Sequence, residues 1–480
     1  MSRRCFLKTS SAALAASLAG CATVKSSENA SELSEYIDIQ SFRPKPQVRI
    51  ASIVVREKPP YWLGWPGTAY PLEEYREKYA DIFAAAAQKT GASLLPDNQF
   101  IESEEDANRF VEKAKAEKPD AVLMLVQSGG AWRWRDIAAQ TGLPTIIFMP
   151  VGTTFTGSVL NKTARLPGVH LISSLDTNWV EQALRMVRAK RQLEETRLLV
   201  VQGNERKESD MELLGTKVRY VPRQTFRDLF DRMPDTEEAR EVAQTMRRRA
   251  QKIVEPSKQD ILNAARSYMT AKRLLRDESS NALTTDCLGM VSAKAVPTPP
   301  CMAASLFQDA GVTYGCEADV FAAMSLLLVS YLFDKPGFMQ DPVPDTVKNQ
   351  LIAAHCACGT RLNGFDQKPE DFILRSHSES NIGVSIQTLW RKGQPVTLLR
   401  LNNPRELILD TGVVVGNVNT PPAGGCRTSV EIAMDGVEDV RDVLGFHQAV
   451  FYGNHRRDVE AFCQMYGIRV IHSPEKSTKA

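Results

Sequence analysis

The sequence predicts an α/β protein in which two doubly wound, Rossmann-like α/β domains precede a β-rich, barrel-like C-terminal domain. Three observations lead to this prediction. The chain has 480 residues, which is too many for a single hydrophobic core. Up to about residue 345, short apolar strands alternate with amphipathic helices, as they do in parallel βαβ units. Beyond residue 355, short β-type runs are separated by Gly, Asn and Pro, which is typical of an antiparallel sheet or barrel.

Residues 1–21 have the features of an export leader. Arg3-Arg4 precedes a short Ala-rich apolar core in the twin-arginine pattern, and the tetrad LAGC that ends at Cys21 resembles a bacterial lipobox. We expect Cys21 to carry a lipid that anchors a periplasmic or cell-envelope protein to the membrane. A leader that is cleaved elsewhere is the alternative. Residues 22–46 form a polar linker, and no other segment is apolar for long enough to cross a bilayer.

Composition argues against nucleic-acid binding. The formal charge is +2, hydrophobic residues make up 43% of the chain and charged residues 24%. These are values of an ordinary soluble globular protein, and the chain has no long basic block with interleaved aromatic residues.

Cysteine usage favours small buried thiols over a disulfide framework. Seven cysteines follow Cys21, so at least one thiol must be unpaired. Cys356-Ala357-Cys358 has no second Cys or His pair at the spacing of a zinc finger. We therefore predict that these residues pack as small apolar side chains.

The N-terminal α/β domain is predicted to span residues 47–165. Its strands are placed at residues 49–55, 121–126 and 144–151, and its helices at 72–90, 104–118 and 132–141. Ser128-Gly129-Gly130 and the segment 153–157 follow strands, at the edge where ligands of such sheets gather. A glycine pair after a strand is also typical of a simple turn. Neither nucleotide-binding glycine fingerprint is present.

The middle α/β domain is predicted to span residues 166–345. Strands at 169–173 and 197–203 flank a helix at 178–193, and two charged helices follow at 236–253 and 258–277. The charged faces of these two helices are typical of solvated surfaces.

This domain ends in the stretch on which the functional interpretation depends. The run from Val320 to Phe333 is apolar almost all the way round, which predicts a buried helix. Glu317 and Asp319 stand directly before it, and a short apolar strand after it leads to Asp341. Burying carboxylates costs several kcal/mol unless they are neutralised, paired or bound to a metal. Glu317 and Asp341 are therefore candidates for one shared site.

The C-terminal domain is predicted to span residues 346–480. Its β-type runs lie at 394–401, 406–410, 413–418, 428–434 and 448–451, and a helix at 458–466 precedes a last strand at 468–471. Four of the six histidines lie between residues 355 and 455, at His355, His377, His447 and His455. Together with the carboxylates they are compatible with a metal site or with a buried ion-pair network.

Five segments read together resemble the L-fucose isomerase and L-arabinose isomerase family of metal-dependent ketol isomerases. They are GCEADVFAAMSLLL, KPGFMQDP, AHC, VTLLRL and FHQAVFYGNH, and the resemblance covers about residues 311–472. It implies that Glu317, Asp341 and His447 bind Mn²⁺ or a similar divalent cation. It also implies that Glu317 and Asp341 act as an acid/base pair on a monosaccharide through an ene-diol, in a homo-oligomer whose neighbouring subunits close the site.

Further residues are predicted around this set. Asp319 is expected to support a ligand or to stabilise the helix start. Substrate contacts are expected from five residues, for which packing or surface roles are the alternatives: His355, His377, Glu379, Arg427 and Tyr452.

Two other functions remain open at this point. One is an exported carbohydrate-binding protein that keeps the fold without turnover. The other is a different metal-assisted sugar reaction, such as epimerisation or glycoside cleavage, because a proton-shuttling pair beside a metal permits it.

Overall fold

The computed structural model describes residues 30–58, 71–151, 153, 162–293, 296–419 and 425–474. The predicted leader with Cys21, and most of the segment 153–157, lie outside the described residues.

The first unit is a five-stranded parallel sheet with helices on its faces. Its elements are α1 (Ala30–Leu33), β1 (Val48–Val55), α2 (Leu72–Thr90), β2 (Ala92–Pro96), α3 (Glu104–Glu117), β3 (Ala121–Val126), α4 (Trp132–Ala138), β4 (Thr145–Pro150) and β5 (Val169–Ser174). The strand order is β2-β1-β3-β4-β5. Every residue of β3 and β4 is buried, as expected for parallel strands that are covered on both faces.

The second unit is also built on a mainly parallel sheet. It contains α5 (Asn178–Glu195), β6 (Arg197–Val201), β7 (Lys207–Asp210), β8 (Lys217–Val221), α6 (Arg223–Arg232), α7 (Glu237–Arg249), β9 (Lys252–Ile253), α8 (Lys258–Asp277), β10 (Ala282–Thr285), α9 (Cys287–Ser292), α10 (Cys301–Asp309), β11 (Tyr314–Cys316) and α11 (Val320–Phe333). The order of the five-stranded sheet is β11-β10-β6-β8-β7, with β7 antiparallel to β8.

Helix α11 occupies the predicted bounds and is the most enclosed helix of this unit. Residues 322–332 are all buried, and Asp319 caps the helix start by accepting a hydrogen bond from the N–H of Ala322 at 2.9 Å. Among the described residues, no helix has the length and hydropathy that crossing a membrane requires.

The C-terminal unit is an antiparallel barrel. Its elements are β12 (Phe338–Asp345), β13 (Gln350–His355), β14 (Phe372–Arg375), β15 (Ser385–Thr388), β16 (Pro395–Asn403), β17 (Glu406–Asn417), β18 (Thr428–Met434), β19 (Gln448–Tyr452), α12 (Arg456–Tyr466) and β20 (Arg469–Ile471). Strands β16-β19-β12-β13-β18-β17 pair in that order, and β17 pairs again with β16, which closes the ring. Strand β20 adds to β17, and β15-β14-β9 form a small separate sheet. The predicted fold class is confirmed.

The predicted domain limits need three corrections. Strand β5 pairs with β4 and completes the first sheet, so a boundary at residue 165 would cut through that sheet. Strand β12 (Phe338–Asp345) pairs with β13 and β19 of the barrel. The barrel therefore begins at β12, and the predicted boundary at residue 345 lies too late in the sequence. The segment after Leu33 is packed rather than linker-like, because Phe42 is buried and Ile37 accepts a hydrogen bond from the buried Lys272 ammonium group at 2.9 Å.

Candidate metal centre

Glu317 lies at the carboxyl edge of the second sheet, in a backbone conformation that is unusual for its residue type. It follows β11, and both Glu317 (φ 58°) and Ala318 (φ 55°) adopt left-handed backbone angles before α11 begins. The N–H of Ala318 donates to the carbonyl of Thr285 at the end of β10, at 3.0 Å. Non-glycine residues with positive φ cost free energy and concentrate at functional sites. This turn separates the side chain of Glu317 from the apolar helix that follows.

The strand register of the barrel brings the other candidate ligands to the same place. Asp341 in β12 pairs with Ala354 in β13, so His355 lies one residue beyond that pair. Strand β19 pairs with β12 on its other side and begins directly after His447, whose φ is also positive at 56°. Side chains that are up to 130 residues apart in sequence therefore meet where the second unit contacts the barrel.

Glu317, His355 and His447 form a compact triad. One potential ligand atom from each lies within 4.8 Å of the others. Nε2 of His355 is 3.6 Å from Oε1 of Glu317, and Nε2 of His447 is 3.5 Å from Oε2 of the same carboxylate. Oδ1 of Asp341 is 3.1 Å from Nε2 of His447. The structure thus brings the three predicted ligands together and adds His355, which the sequence analysis predicted as a substrate contact.

Several buried atoms of this cluster have no hydrogen-bond partner within the described part of the chain. They are Oδ1 of Asp341, Nε2 of His447 and both ring nitrogens of His355. Nε2 of His447 and Oδ1 of Asp341 are close together but lack hydrogen-bond geometry. Buried polar atoms are normally satisfied, so these atoms have capacity for a partner from outside the described residues. Carboxylate oxygens with imidazole nitrogens fit a divalent cation of the Mn²⁺ type better than a thiolate-favouring metal.

Asp319 and Arg400 hold His447 in place from behind. Oδ2 of Asp319 lies 2.9 Å from Nδ1 of His447 and accepts a hydrogen bond from Nη2 of Arg400 at 3.0 Å. Nη1 of Arg400 also donates to the backbone carbonyl of His447 at 3.3 Å. A carboxylate on Nδ1 directs Nε2 of the imidazole toward the cluster, as it does for many metal-binding histidines.

Mutual interactions shift the pKa values within the cluster. Burial by itself would lower the pKa of His447. The carboxylates of Asp319, Asp341 and Glu317 outweigh burial and raise this imidazole pKa to about 10. Burial would also lower the pKa of His355, but Glu317 and Asp341 raise it. In return, His355 and then His447 hold the pKa of the Glu317 carboxyl well below its usual range.

The remaining predicted substrate residues make other contacts. Nδ1 of His377 lies 2.9 Å from the hydroxyl of Ser380, and its Nε2 lies 3.8 Å from a carboxylate oxygen of the largely exposed Glu379. Arg427 is buried and donates to the backbone carbonyl of Ser376 at 2.8 Å.

Tyr452 lies in the barrel, and its side-chain contacts are with barrel residues. Its hydroxyl accepts a hydrogen bond from the backbone N–H of Arg391 at 2.8 Å, and its ring packs on Trp390 with centroids 4.9 Å apart.

Two residues at the centre were missed in the sequence. Arg400 stands in VTLLRL, where it interrupts an otherwise apolar strand, and a charge at such a position is a usable signal. Phe446 precedes His447 and is 55% exposed, with the two ring centroids 4.3 Å apart. Its position next to a predicted ligand is the only sequence signal for it.

The cysteines behave as predicted small apolar side chains. Six of the seven cysteines from Cys287 to Cys463 are buried free thiols, and the seventh, Cys426, is half-buried. None of them belongs to the triad.

Comparisons with known proteins give one informative match. No known protein-family profile matches the chain. It is 24% identical over 192 residues to a sulfoquinovose isomerase of Clostridium sp. (strain MSTE9). That alignment covers 37% of this chain and 42% of the relative, so the chain spans less than half of that protein's length. The similarity is therefore partial in both chains.

The comparison with solved structures gives a weak match. A carbohydrate transporter from Acidothermus cellulolyticus 11B, in complex with myo-inositol, aligns with 60% of this chain and 88% of its own chain at 12% identity. The TM-score is 0.18, which carries no argument about fold or function.

Proposed function

We propose that this protein is a divalent-metal-dependent isomerase that interconverts an aldose and a ketose. The observation that carries the proposal is the set of buried, unpartnered atoms on Asp341, His355 and His447. Nε2 of each histidine lies within 3.6 Å of the Glu317 carboxylate, and Oδ1 of Asp341 lies 3.1 Å from Nε2 of His447. The partial similarity to a sulfoquinovose isomerase supports the same reaction class.

The ligand set is Glu317, Asp341, His447 and His355. Hard carboxylate oxygens with neutral imidazoles match Mn²⁺ or a similar divalent cation. When bound, such a cation supplies Lewis-acid polarisation of the two sugar oxygens at C1 and C2. Asp319 and Arg400 keep Nε2 of His447 aimed at the centre through the hydrogen bonds on its other side.

Glu317 and Asp341 perform the proton transfer in this proposal. Isomerisation through an ene-diol removes a proton from C2 of an aldose and delivers one to C1, while a proton moves between the two oxygens. One carboxylate takes the carbon-bound proton as a base, and the other serves the oxygens as an acid. The Glu317 carboxyl is ionised at neutral pH, because its pKa lies below the usual range, and an ionised carboxylate is the form that a base requires.

The proposed substrate is a monosaccharide. The curated relative carries the name of a sulfonated hexose, so the panel of test sugars includes neutral aldoses and a sulfonated aldohexose.

We also propose export by the twin-arginine route, lipidation of Cys21 and assembly as a homo-oligomer. The leader motif supports the first two, and the family resemblance supports the third. Loss of globomycin-sensitive processing in Cys21→Ala tests the lipid, and sedimentation tests the assembly.

Hydrogen exchange into the substrate tests the reaction class directly. The metal-loaded protein is incubated with each sugar in deuterated water, and deuterium is measured at C1 and C2 by nuclear magnetic resonance. We expect deuterium at C1 of a new ketose and at C2 of the aldose that re-forms from it, and neither with Glu317→Gln. Tight sugar binding without exchange would instead indicate a carbohydrate-binding protein. Inversion at a carbon with no ketose would indicate an epimerase.

A further inference from the structure

A charged cavity lies near the C-terminal end of α11, at the opposite end from the metal centre. It has a volume of about 450 Å³. Its walls come from the segment that precedes β1, from the end of α2, from α5 and from the residue that caps α11. The lining includes Arg43, Lys45, Lys89, Arg188 and Asp334. Four cations and one carboxylate therefore face a space of the size that binds small ligands.

The carboxylates in this region are already shared among cations. Asp334 accepts a hydrogen bond from Arg43 at 2.5 Å, contacts Arg185 closely, and lies 3.4 Å from Nη2 of Arg188. The nearby Glu181 pairs with Lys89 at 2.6 Å and with Arg185 at 3.0 Å.

The two carboxylates thus face four cations, which are Arg43, Lys89, Arg185 and Arg188. Lys45 in the cavity lining is a fifth. Like charges at this spacing repel each other, most strongly where burial reduces screening by water. A counter-ion is the usual remedy.

Two of the cations have unused donors. Nε of Arg188 is buried and has no hydrogen-bond partner among the described residues. Its guanidinium pKa is lowered to about 10, first by burial and then by the charges of Arg185 and Arg43. Lys45 is exposed, and no ion pair to its ammonium group occurs in the described part of the chain.

Arg43 differs from these two because its donors are in use. They bind the carbonyl of Gly311 and the hydroxyl and carbonyl of Ser330, each at 3.0 Å, in addition to Asp334. Arg43 therefore adds positive charge to the cavity wall while it holds the wall in place. Arg188 and Lys45 are the residues with donors to spare.

We propose that this cavity binds an oxyanion of the phosphate class, with Arg188 and Lys45 as direct donors and with Arg43 and Lys89 contributing charge. A guanidinium group with free N–H donors matches the oxygen spacing of phosphate. Lys45 stands shortly before β1 of the first unit and Arg188 lies in α5 of the second, so the ligand would join the two. The inference does not depend on the metal centre or on isomerase activity.

Titration calorimetry of the full chain tests the proposal. Inorganic phosphate and glycerol 3-phosphate, an ester that is not a sugar, are titrated separately at constant ionic strength, with chloride as the comparison anion. We expect phosphate to bind more tightly than chloride, and Arg188→Gln and Lys45→Gln each to weaken phosphate binding about tenfold. Lys258→Gln is the matched control, because Lys258 is also exposed and lies at the start of α8, outside the cavity.

Each outcome decides one point. Tighter binding of the ester than of inorganic phosphate would identify the ligand as a phosphorylated metabolite, and the reverse order as the free ion. Equal affinity in the wild type, Arg188→Gln and Lys45→Gln would overturn the proposal, because the anion would then be bound elsewhere. Lys45→Gln keeps the test valid if Arg188→Gln fails to fold, since Lys45 is exposed.

Discussion

The two ends of α11 carry opposite excesses of charge. Beside its N-terminus, Glu317, Asp319 and Asp341 face one permanently charged group, Arg400. At its C-terminus the situation is reversed, because three guanidinium groups surround the single carboxylate of Asp334. The helix dipole favours anions at the first end and cations at the second, but it accounts for less than one unit of charge at either end.

The two ends also differ in which buried atoms have no hydrogen-bond partner among the described residues. At the N-terminal end the unpartnered atoms include candidate metal ligands such as Oδ1 of Asp341, whereas at the C-terminal end they include the Nε donor of Arg188 and the Oε1 acceptor of Gln192. One helix thus separates a cluster that is short of a cation from a cluster that is short of an anion. The predictions below act on one end at a time, so that each end serves as the control for the other.

The largest effect is expected from Glu317→Gln. The amide cannot supply the charge that the centre loses, so elemental analysis should show that most of the divalent metal is gone, and isomerisation should fall at least about a thousandfold. Glu212→Gln is the matched control, because Glu212 is an exposed carboxylate whose ion pair with Arg405 includes no residue of the centre. Metal content that is the same in both variants would rule out Glu317 as a ligand.

Asp319→Asn should have a smaller effect at the same end. The amide can still contact Nδ1 of His447, but it no longer balances the imidazole or Arg400, so metal affinity should fall about 10- to 100-fold. Competition with a calibrated chelator measures this change. A loss of metal as complete as in Glu317→Gln would make Asp319 a direct ligand instead of a positioning residue.

Metal binding should release protons from the N-terminal cluster. The metal-free protein keeps His447 protonated up to a pKa of about 10, whereas a metal requires the neutral imidazole. Below that pH, metal affinity should therefore rise with pH by about tenfold per unit for each proton released. Calorimetry in buffers of different ionisation enthalpy counts the protons, and a count of zero at pH 8 would contradict the assignment of His447.

The same pKa shift makes the stability of the metal-free protein depend on pH. Because the folded-state pKa of His447 is raised, its contribution is complete below the ordinary histidine pKa of 6.5 and is lost as pH rises through about 10.

The smallest effect is expected at the C-terminal end, from Asp334→Asn. Removing this carboxylate leaves three neighbouring arginines without a shared partner. Its side chain is 40% exposed, so water screens part of the repulsion and the expected loss of unfolding free energy is about 1–2 kcal/mol. Urea denaturation measures it. Metal content should stay at the wild-type level, and a parallel loss of metal would show that the two ends are not independent.

The two ends also differ in how far the sequence predicts them. The bounds of α11 follow from an uninterrupted apolar run, and Glu317, Asp341 and His447 follow from motifs that resemble a known family. His355 and Arg400 depend on the register of β13 against β12 and of β16 against β19, which is fixed by long-range pairing. No local pattern carries that information.

The C-terminal end had no sequence signal at all. Arg43 and Asp334 are 291 residues apart, and the segment Pro44-Lys45-Pro46 has the composition of a linker. Its burial follows from contacts with the second unit that form only in the folded chain. Strand β5 was assigned to the wrong sheet for a similar reason, because strand order along a sequence does not reveal which neighbour a strand pairs with.

The burial of α11 on every side has a consequence for hydrogen exchange. Between its ends the helix exposes almost no surface, so its amide hydrogens should exchange through global unfolding, at the slowest rates in the protein. A ligand that binds the folded state raises the free energy of global unfolding. Occupying either end should therefore slow exchange along the whole helix, including the turn at the far end, without any change in its conformation.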